Sequence, residues 1–174
     1  MKTPAKAHEP NSKAMKPLHR IIRFVWNQKW IDLRHKKAIY KKLCSYGDAL
    51  DAPFAKDFFG LTYQGNLNNS VEFTLFYMGA FEKPLLFFLR DTMLSLRQSA
   101  NGSAQSFFDI GANIGQHSLF MSLHADQVHS FEPYSVVSQK LERHIELNEI
   151  SNIRLHKVGL SNQQEELDFY APTG

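Results

Sequence analysis

At 174 residues, with 43% hydrophobic and 13% aromatic content, the chain carries enough apolar material for one folded core. Its single cysteine, Cys44, excludes an internal disulfide and a cysteine-based zinc cluster, and no apolar run approaches the roughly 18 residues that read as a membrane span. The net charge of +3 averages two unlike parts: residues 1–43 hold twelve Lys or Arg against two acids, and the remainder holds eight against fifteen.

Residues 1–16 read as a disordered basic arm, because Lys, Pro, Ser, Asn and His dominate and little is available to bury. Such an arm either solubilises the chain or is drawn to an anionic membrane surface. The solubilising tail is the simpler expectation. Trp26 and Trp30, four residues apart among cations, keep peripheral membrane contact open. No apolar segment of signal-peptide type follows Met1, so a cytoplasmic location is expected.

Residues 17–104 read as an N-terminal helical region with a short strand. Pro17 suits the first turn of a helix. Leu18, Ile21, Ile22, Val25, Trp26 and Leu33 follow at helical spacing, which predicts a helix, with or without a break, to about Cys44. Residues 48–56 read as loop, 58–63 as a strand and 64–69 as a turn cluster. Ser70 is the expected N-cap of a short helix ending at Gly79. A second helix is expected over 81–98, with Leu85, Phe88, Leu89, Met93 and Leu96 as its apolar stripe.

From residue 105 to 174 the pattern becomes βαβαβ. Strands are expected at 106–110, 127–131 and 153–158, and helices at 114–124 and 135–147. Val137, Leu141 and Ile145, four apart, give the second helix its apolar face. Right-handed crossovers place the strands in the order 3-2-1. The fold class is therefore α/β, an incomplete doubly wound parallel sheet. Residues 167–170 alternate and suggest one arm of an added hairpin.

The chemistry concentrates at Phe107-Phe108-Asp109-Ile110-Gly111-Ala112-Asn113-Ile114-Gly115, where an apolar strand runs through an acid into a turn with two glycines. The second strand ends at Glu132, 21 residues after Gly111. An acid at about 20 residues reaches a ribose in doubly wound nucleotide folds, and an ionised carboxylate can accept from both ribose hydroxyls. The turn reads G-x-x-x-G, not the G-x-G-x-x-G of dinucleotide sites, and residues 109–120 contain no Lys or Arg. S-adenosylmethionine therefore fits better than NAD. Eight His residues form no H-E-x-x-H pattern, and no metal is expected. His117, just after the turn, is near enough in sequence to touch the site.

Residues 58–170 resemble the FkbM-type methyltransferases, a branch of the Rossmann-like S-adenosylmethionine enzymes. The resemblance is carried by 108–115 and by Ser130-Phe131-Glu132-Pro133, with Leu147-Asn148 and Val158-Gly159-Leu160-Ser161 in support. It implies S-adenosylmethionine as cofactor and methyl transfer to a hydroxyl of a small molecule or glycan. A nucleic-acid partner is not expected.

The same resemblance implies roles for individual residues. Gly111, Ala112 and Gly115 form the cofactor turn, Asn113 can donate to the cofactor carboxylate, and Glu132 takes the ribose. Asp109 either accepts the cofactor ammonium or holds the turn N–H groups. Glu82 either meets that ammonium or is a helix-start acid, and Tyr77 either lines the pocket or is core. Ser161 or Asn162 can meet the adenine amine, although the family often has an acid at the position of Asn162.

The family also carries a later Lys-Ile-Asp-x-Glu-Gly type segment on its fourth strand, and this sequence contains none. The chain is therefore expected to hold the cofactor half and little of the catalytic half. No catalytic residue can be named. Alone it is expected to lack turnover and to be poorly soluble, with residues 107–110 as a bare strand edge. Two other readings stand beside this one. One is a non-catalytic truncated relative acting as an interaction module, and the other is a nicotinamide-dependent oxidoreductase.

Overall fold

The structure, a computed structural model, describes residues 24, 25, 28, 30–32, 34–36, 38 and 53–166. The expected basic arm at 1–16, the hairpin arm at 167–170 and much of the helix expected over 17–44 lie outside the described residues. Of that helix, Phe24 and Val25 are helical, Trp30 lies in a turn, and residues 34–36 and 38 are helical again. No helix among the described residues is long and apolar enough to cross a membrane. The chain divides into two compact units, residues 1–81 and 82–174.

The first unit is built on an antiparallel hairpin, β1 (Pro53–Phe58) and β2 (Leu61–Asn66), in which Phe58 lies opposite Leu61. This corrects two expectations. Residues 53–56 are strand rather than loop, and the single strand expected across 58–63 is interrupted at Phe59-Gly60. Both turn residues have positive φ, 53° and 91°, the backbone of a two-residue turn that matches the twist of its strands. Phe54 and Phe58, four apart, point into the core with Tyr63. β2 also runs on to Asn66, into residues read as a turn cluster.

Helix α1 (Ser70–Met78) follows. Its N-cap is Asn69 rather than Ser70: the Asn69 side chain accepts from Val71 N at 3.0 Å and Glu72 N at 3.1 Å. Gly79 ends the helix with φ 87°, its N–H bonded to Leu75 O. Phe73, Leu75 and Tyr77 are buried, so Tyr77 belongs to the core of this unit.

Glu72 is fully buried among them. Its carboxylate accepts from Asn66 N at 3.0 Å and Tyr63 Oη at 3.5 Å, which ties the end of β2 to α1. Burial first, and the Glu72 carboxylate second, push the Tyr63 phenol far above its ordinary value. Glu72→Ala is expected to destabilise this unit by about 1–3 kcal/mol, because buried donors lose their acceptor. Urea unfolding monitored by tyrosine fluorescence measures it, and an unchanged midpoint would show that the carboxylate contributes nothing there.

The second unit begins with helix α2 (Lys83–Ser99). Strand β3 (Ser106–Ile110), helix α3 (Gln116–Met121), β4 (Gln127–Phe131), helix α4 (Ser135–Leu147) and β5 (Ile153–His156) follow. The three strands form one parallel sheet in the order β3-β4-β5. This is the βαβαβ arrangement of a Rossmann-like α/β fold, with the 3-2-1 order expected. β3, β4 and α4 have the expected bounds; β5 stops two residues short. α3 is shorter than 114–124 because the turn before it still has positive φ at Asn113 and Gly115.

One sheet face is covered. Val128 and Ser130 of β4 are fully buried, as is Leu119 of α3. The opposite face carries Phe108, His129, Phe131 and His156 as a row of stacked rings, with neighbouring centroids 4.5–5.5 Å apart. Phe108 and Ile110 are exposed, and the outer edge of β3 has no strand partner among the described residues.

The apolar stripe expected on α2 is also corrected. Leu86 and Met93, two turns apart, are the buried pair, while Leu85, Phe88 and Leu96 are exposed. The first half of α2 is apolar over five consecutive residues, 85–89, so periodicity alone does not single out a face.

His124, in the turn after α3, rests its ring 4.8 Å from Phe120. Burial first, and Arg90 second, lower its basicity below the ordinary 6.5, against an opposing pull from Asp91. The folded state therefore binds fewer protons than the unfolded one just below that pH. The associated stability is present above 6.5 and is lost as pH falls. Thermal melts between about pH 5 and about pH 7.5 should show this acid-side slope, and His124→Gln should flatten it.

Candidate functional site

The site is built on the turn between β3 and α3. Gly111, Asn113 and Gly115 all have positive φ, at 78°, 51° and 80°. Asparagine tolerates this region because its short side chain bonds locally, and here Asn113 Oδ1 accepts from Ile114 N at 2.8 Å. The two glycines are present for different reasons. A Cβ at Gly115 would lie 2.3 Å from Leu141 Cδ1, so α4 packs directly on that backbone. A Cβ at Gly111 would meet nothing within 4 Å, so this backbone faces open space.

Every N–H of the turn has an acceptor within the protein. Gly111 N and Ala112 N both donate to Phe131 O at 3.0 Å, and Asn113 N donates to Glu132 Oε2 at 2.9 Å. Ile114 N is held by Asn113, and Gly115 N donates to Ala112 O at 2.8 Å. The turn therefore differs from the phosphate-binding loops of nucleotide folds, whose N–H groups point at the ligand.

Glu132 is 8% exposed, at the end of β4. Its second oxygen accepts from Tyr134 N at 2.9 Å, so the carboxylate clamps the turn to the segment after β4. A carboxylate offers about four lone-pair sites, and two are used here. The geometry brings together Gly111, Ala112, Asn113, Gly115 and Glu132, five of the residues singled out in the sequence.

Asp109 is placed differently. Its Oδ2 accepts from Ser118 Oγ at 2.5 Å, and Ser118 Oγ lies 2.6 Å from Ser130 Oγ. This chain, fully buried at Ser118 and Ser130, bolts α3 to the sheet. The turn N–H groups go to Phe131 and Glu132, so the expectation that Asp109 holds them is corrected. Ser118 and Ser130 were missed, and nothing local in the sequence marks them. Their partnership exists only once α3 lies across β3 and β4.

Glu82 precedes α2 in a left-handed conformation, φ 49°, and its side chain does not cap the helix. Its Oε2 is 3.9 Å from His117 Nε2. Ser161 is exposed, with its hydroxyl on Asn162 and Glu165. No hydrogen bond links Ser161 to the turn, although a Cβ at Gly159 would lie 3.8 Å from Pro133 Cγ, which puts the chain after β5 beside the end of β4. Among the described residues no three His, Cys, Asp or Glu converge as metal ligands.

No family model matches the chain, and no curated protein matches it. Solved structures do show likeness. A SAM-dependent methyltransferase from Agrobacterium tumefaciens is 11% identical with a TM-score of 0.47, over 63% of this chain and 33% of that one. TYW2 from M. jannaschii, solved with AdoMet, is 14% identical with a TM-score of 0.44, over 65% and 45%. TYW2 from P. horikoshii, solved with MeSAdo, is 15% identical with a TM-score of 0.42, over 83% and 51%. This chain thus spans a third to a half of the length of these proteins.

Proposed function

We propose that this chain binds S-adenosylmethionine and forms the cofactor-binding portion of a methyltransferase. The observation that carries the reading is the pairing of a donor-saturated turn with a buried carboxylate at the end of the next strand. A pyrophosphate bound at this turn would find all five N–H groups already engaged. S-adenosylmethionine carries no phosphate, and its single carboxylate can take the Asn113 side-chain amide instead. The same observation counts against the nicotinamide reading.

The residues divide the ligand between them. Glu132 accepts from the ribose hydroxyls with its remaining lone pairs while its two backbone donors hold it in place. The open space at Gly111 lets the ligand approach the backbone closely. Asn113, whose Oδ1 is committed to Ile114 N, has its amide group to offer a ligand carboxylate. Ser161 or Asn162 is the candidate contact for the adenine amine. When bound, S-adenosylmethionine would supply an electrophilic methyl: an acceptor oxygen takes it in line, the carbon–sulfur bond breaks to leave S-adenosylhomocysteine, and the hydroxyl proton passes to a base. The chain's part is to orient that methyl.

The finer reading is of FkbM type: O-methylation of a hydroxyl on a small molecule or sugar. It rests on the motif words at 108–115 and 130–133. Peripheral membrane contact through the basic arm and a cytoplasmic location accompany it as proposals. A methyl-transfer assay with labelled S-adenosylmethionine and a panel of glycans, small alcohols and RNA, run on the whole methyltransferase of which this chain is the proposed cofactor-binding portion, tests the acceptor class. Label on the hydroxyl acceptors supports the reading, and label on RNA alone contradicts it. Binding without label transfer to any acceptor favours a non-catalytic module.

A further inference from the structure

α2 meets α3 and the turn after it along a row of rings that ends in ionisable groups. The Phe87 ring of α2 lies 6.2 Å from that of Phe120 on α3, and Phe120 lies 4.8 Å from His124. Over Phe87, the guanidinium carbon of Arg90 is 4.8 Å from the ring centre and the Lys83 ammonium is 5.7 Å from it. Arg90 Nε also donates to Asp91 Oδ1 at 2.8 Å. Arg90 is thus held by a ring face and by one solvent-exposed carboxylate, two contacts that are each weak.

His124 lies within electrostatic reach of that pair. Among the described residues, Arg90 and Asp91, both of α2, are the charges that act on its ring. Arg97, one further cation of α2, donates to the His124 carbonyl at 3.4 Å and is itself paired with Asp126 at 2.8 Å. A neutral His124 leaves Arg90 and Asp91 to each other. A protonated one is a second cation beside a single carboxylate that is already in use.

We propose that the seam between α2 and α3 holds a proton-driven exchange of partners: when His124 takes up a proton, Asp91 turns from Arg90 to His124, and Arg90 leaves the face of Phe87. Burial first, and Arg90 second, keep the ring below its ordinary 6.5, and Asp91 opposes them. The hydrogen bond from Arg90 first, and the His124 charge last, pull the Asp91 carboxyl below its ordinary value. Coupling between two groups is reciprocal, so the guanidinium that disfavours the imidazolium is disfavoured by it in turn. The exchange therefore belongs to the acid side of 6.5, where the folded chain takes up the proton. α3 starts directly after Gly115, its N-cap, so the packing that acid loosens is that of the helix following the glycine turn.

The test is an NMR titration of the full chain between about pH 5 and about pH 7.5, following the His124 ring proton on Cε1 and the Arg90 Nε resonance. In the wild type both signals should move with one midpoint, below 6.5. In His124→Gln the Arg90 signal should stay flat across the same range. Two further variants carry opposite signs. Arg90→Gln removes a repelling cation and should raise the His124 midpoint, whereas Asp91→Asn removes the attracting anion and should lower it. Thermal melts at the neutral end confirm that each variant is folded. An Arg90 signal that stays flat while His124 titrates in the wild type overturns the exchange. So does an Arg90 signal that still moves in His124→Gln, or a His124 midpoint that shifts in the same direction in Arg90→Gln and Asp91→Asn.

Discussion

Glu132→Ala is expected to weaken S-adenosylmethionine binding by about 1–3 kcal/mol, the scale of a lost hydrogen bond to a charged group. It should also lower stability, because the carboxylate is the acceptor for Asn113 N and Tyr134 N, and each is left without it. The two effects are separable. Glu132→Gln keeps one oxygen acceptor but loses the charge and the second acceptor oxygen, so it should recover part of the stability while affinity stays low. Calorimetry on the folded variants reads affinity, and urea unfolding reads stability. Affinity unchanged in both variants would remove the ribose assignment and leave Glu132 as a brace of the turn alone.

Gly115→Ala is expected to be among the most damaging single substitutions in the second unit. The new methyl would sit 2.3 Å from Leu141 Cδ1 and 2.8 Å from Leu141 Cγ, and Leu141 is itself fully buried. Overpacking of this kind costs about 1–3 kcal/mol. The left-handed backbone at φ 80° adds about 1–2 kcal/mol for a residue with a Cβ. Gly111→Ala shares the backbone cost but meets no atom within 4 Å, so it should destabilise less and act mainly on ligand approach. Comparing the two melting temperatures checks this. Equal losses would mean that α4 does not pack on Gly115 as described.

The parts of this fold legible in the sequence were those set by short-range rules. The bounds of β3, β4 and α4 followed from an apolar run ending at a turn, or from apolar residues four apart. The turn at 111–115 and Glu132 were legible for the same reason, since strand, glycine turn, helix and acid succeed one another in chain order.

What escaped depended on contacts made later. Phe59-Gly60 read as the middle of a strand because both flanks are apolar, and only the pairing of β1 with β2 shows it to be a turn. The buried face of α2 was ambiguous over 85–89 and is settled by packing around Leu86 and Met93. The Asp109–Ser118–Ser130 chain joins three elements, so no window of sequence contains it. The same holds for Glu82 and His117, which are 35 residues apart in sequence.

On the proposed reading, a turn with no spare N–H donors, braced by Glu132, takes an adenosyl sulfonium and not a dinucleotide. Titration calorimetry of the wild-type chain with S-adenosylmethionine and, separately, with NAD tests it most directly. Saturable one-to-one binding of S-adenosylmethionine and no measurable binding of NAD are expected. Tighter binding of NAD than of S-adenosylmethionine would contradict it.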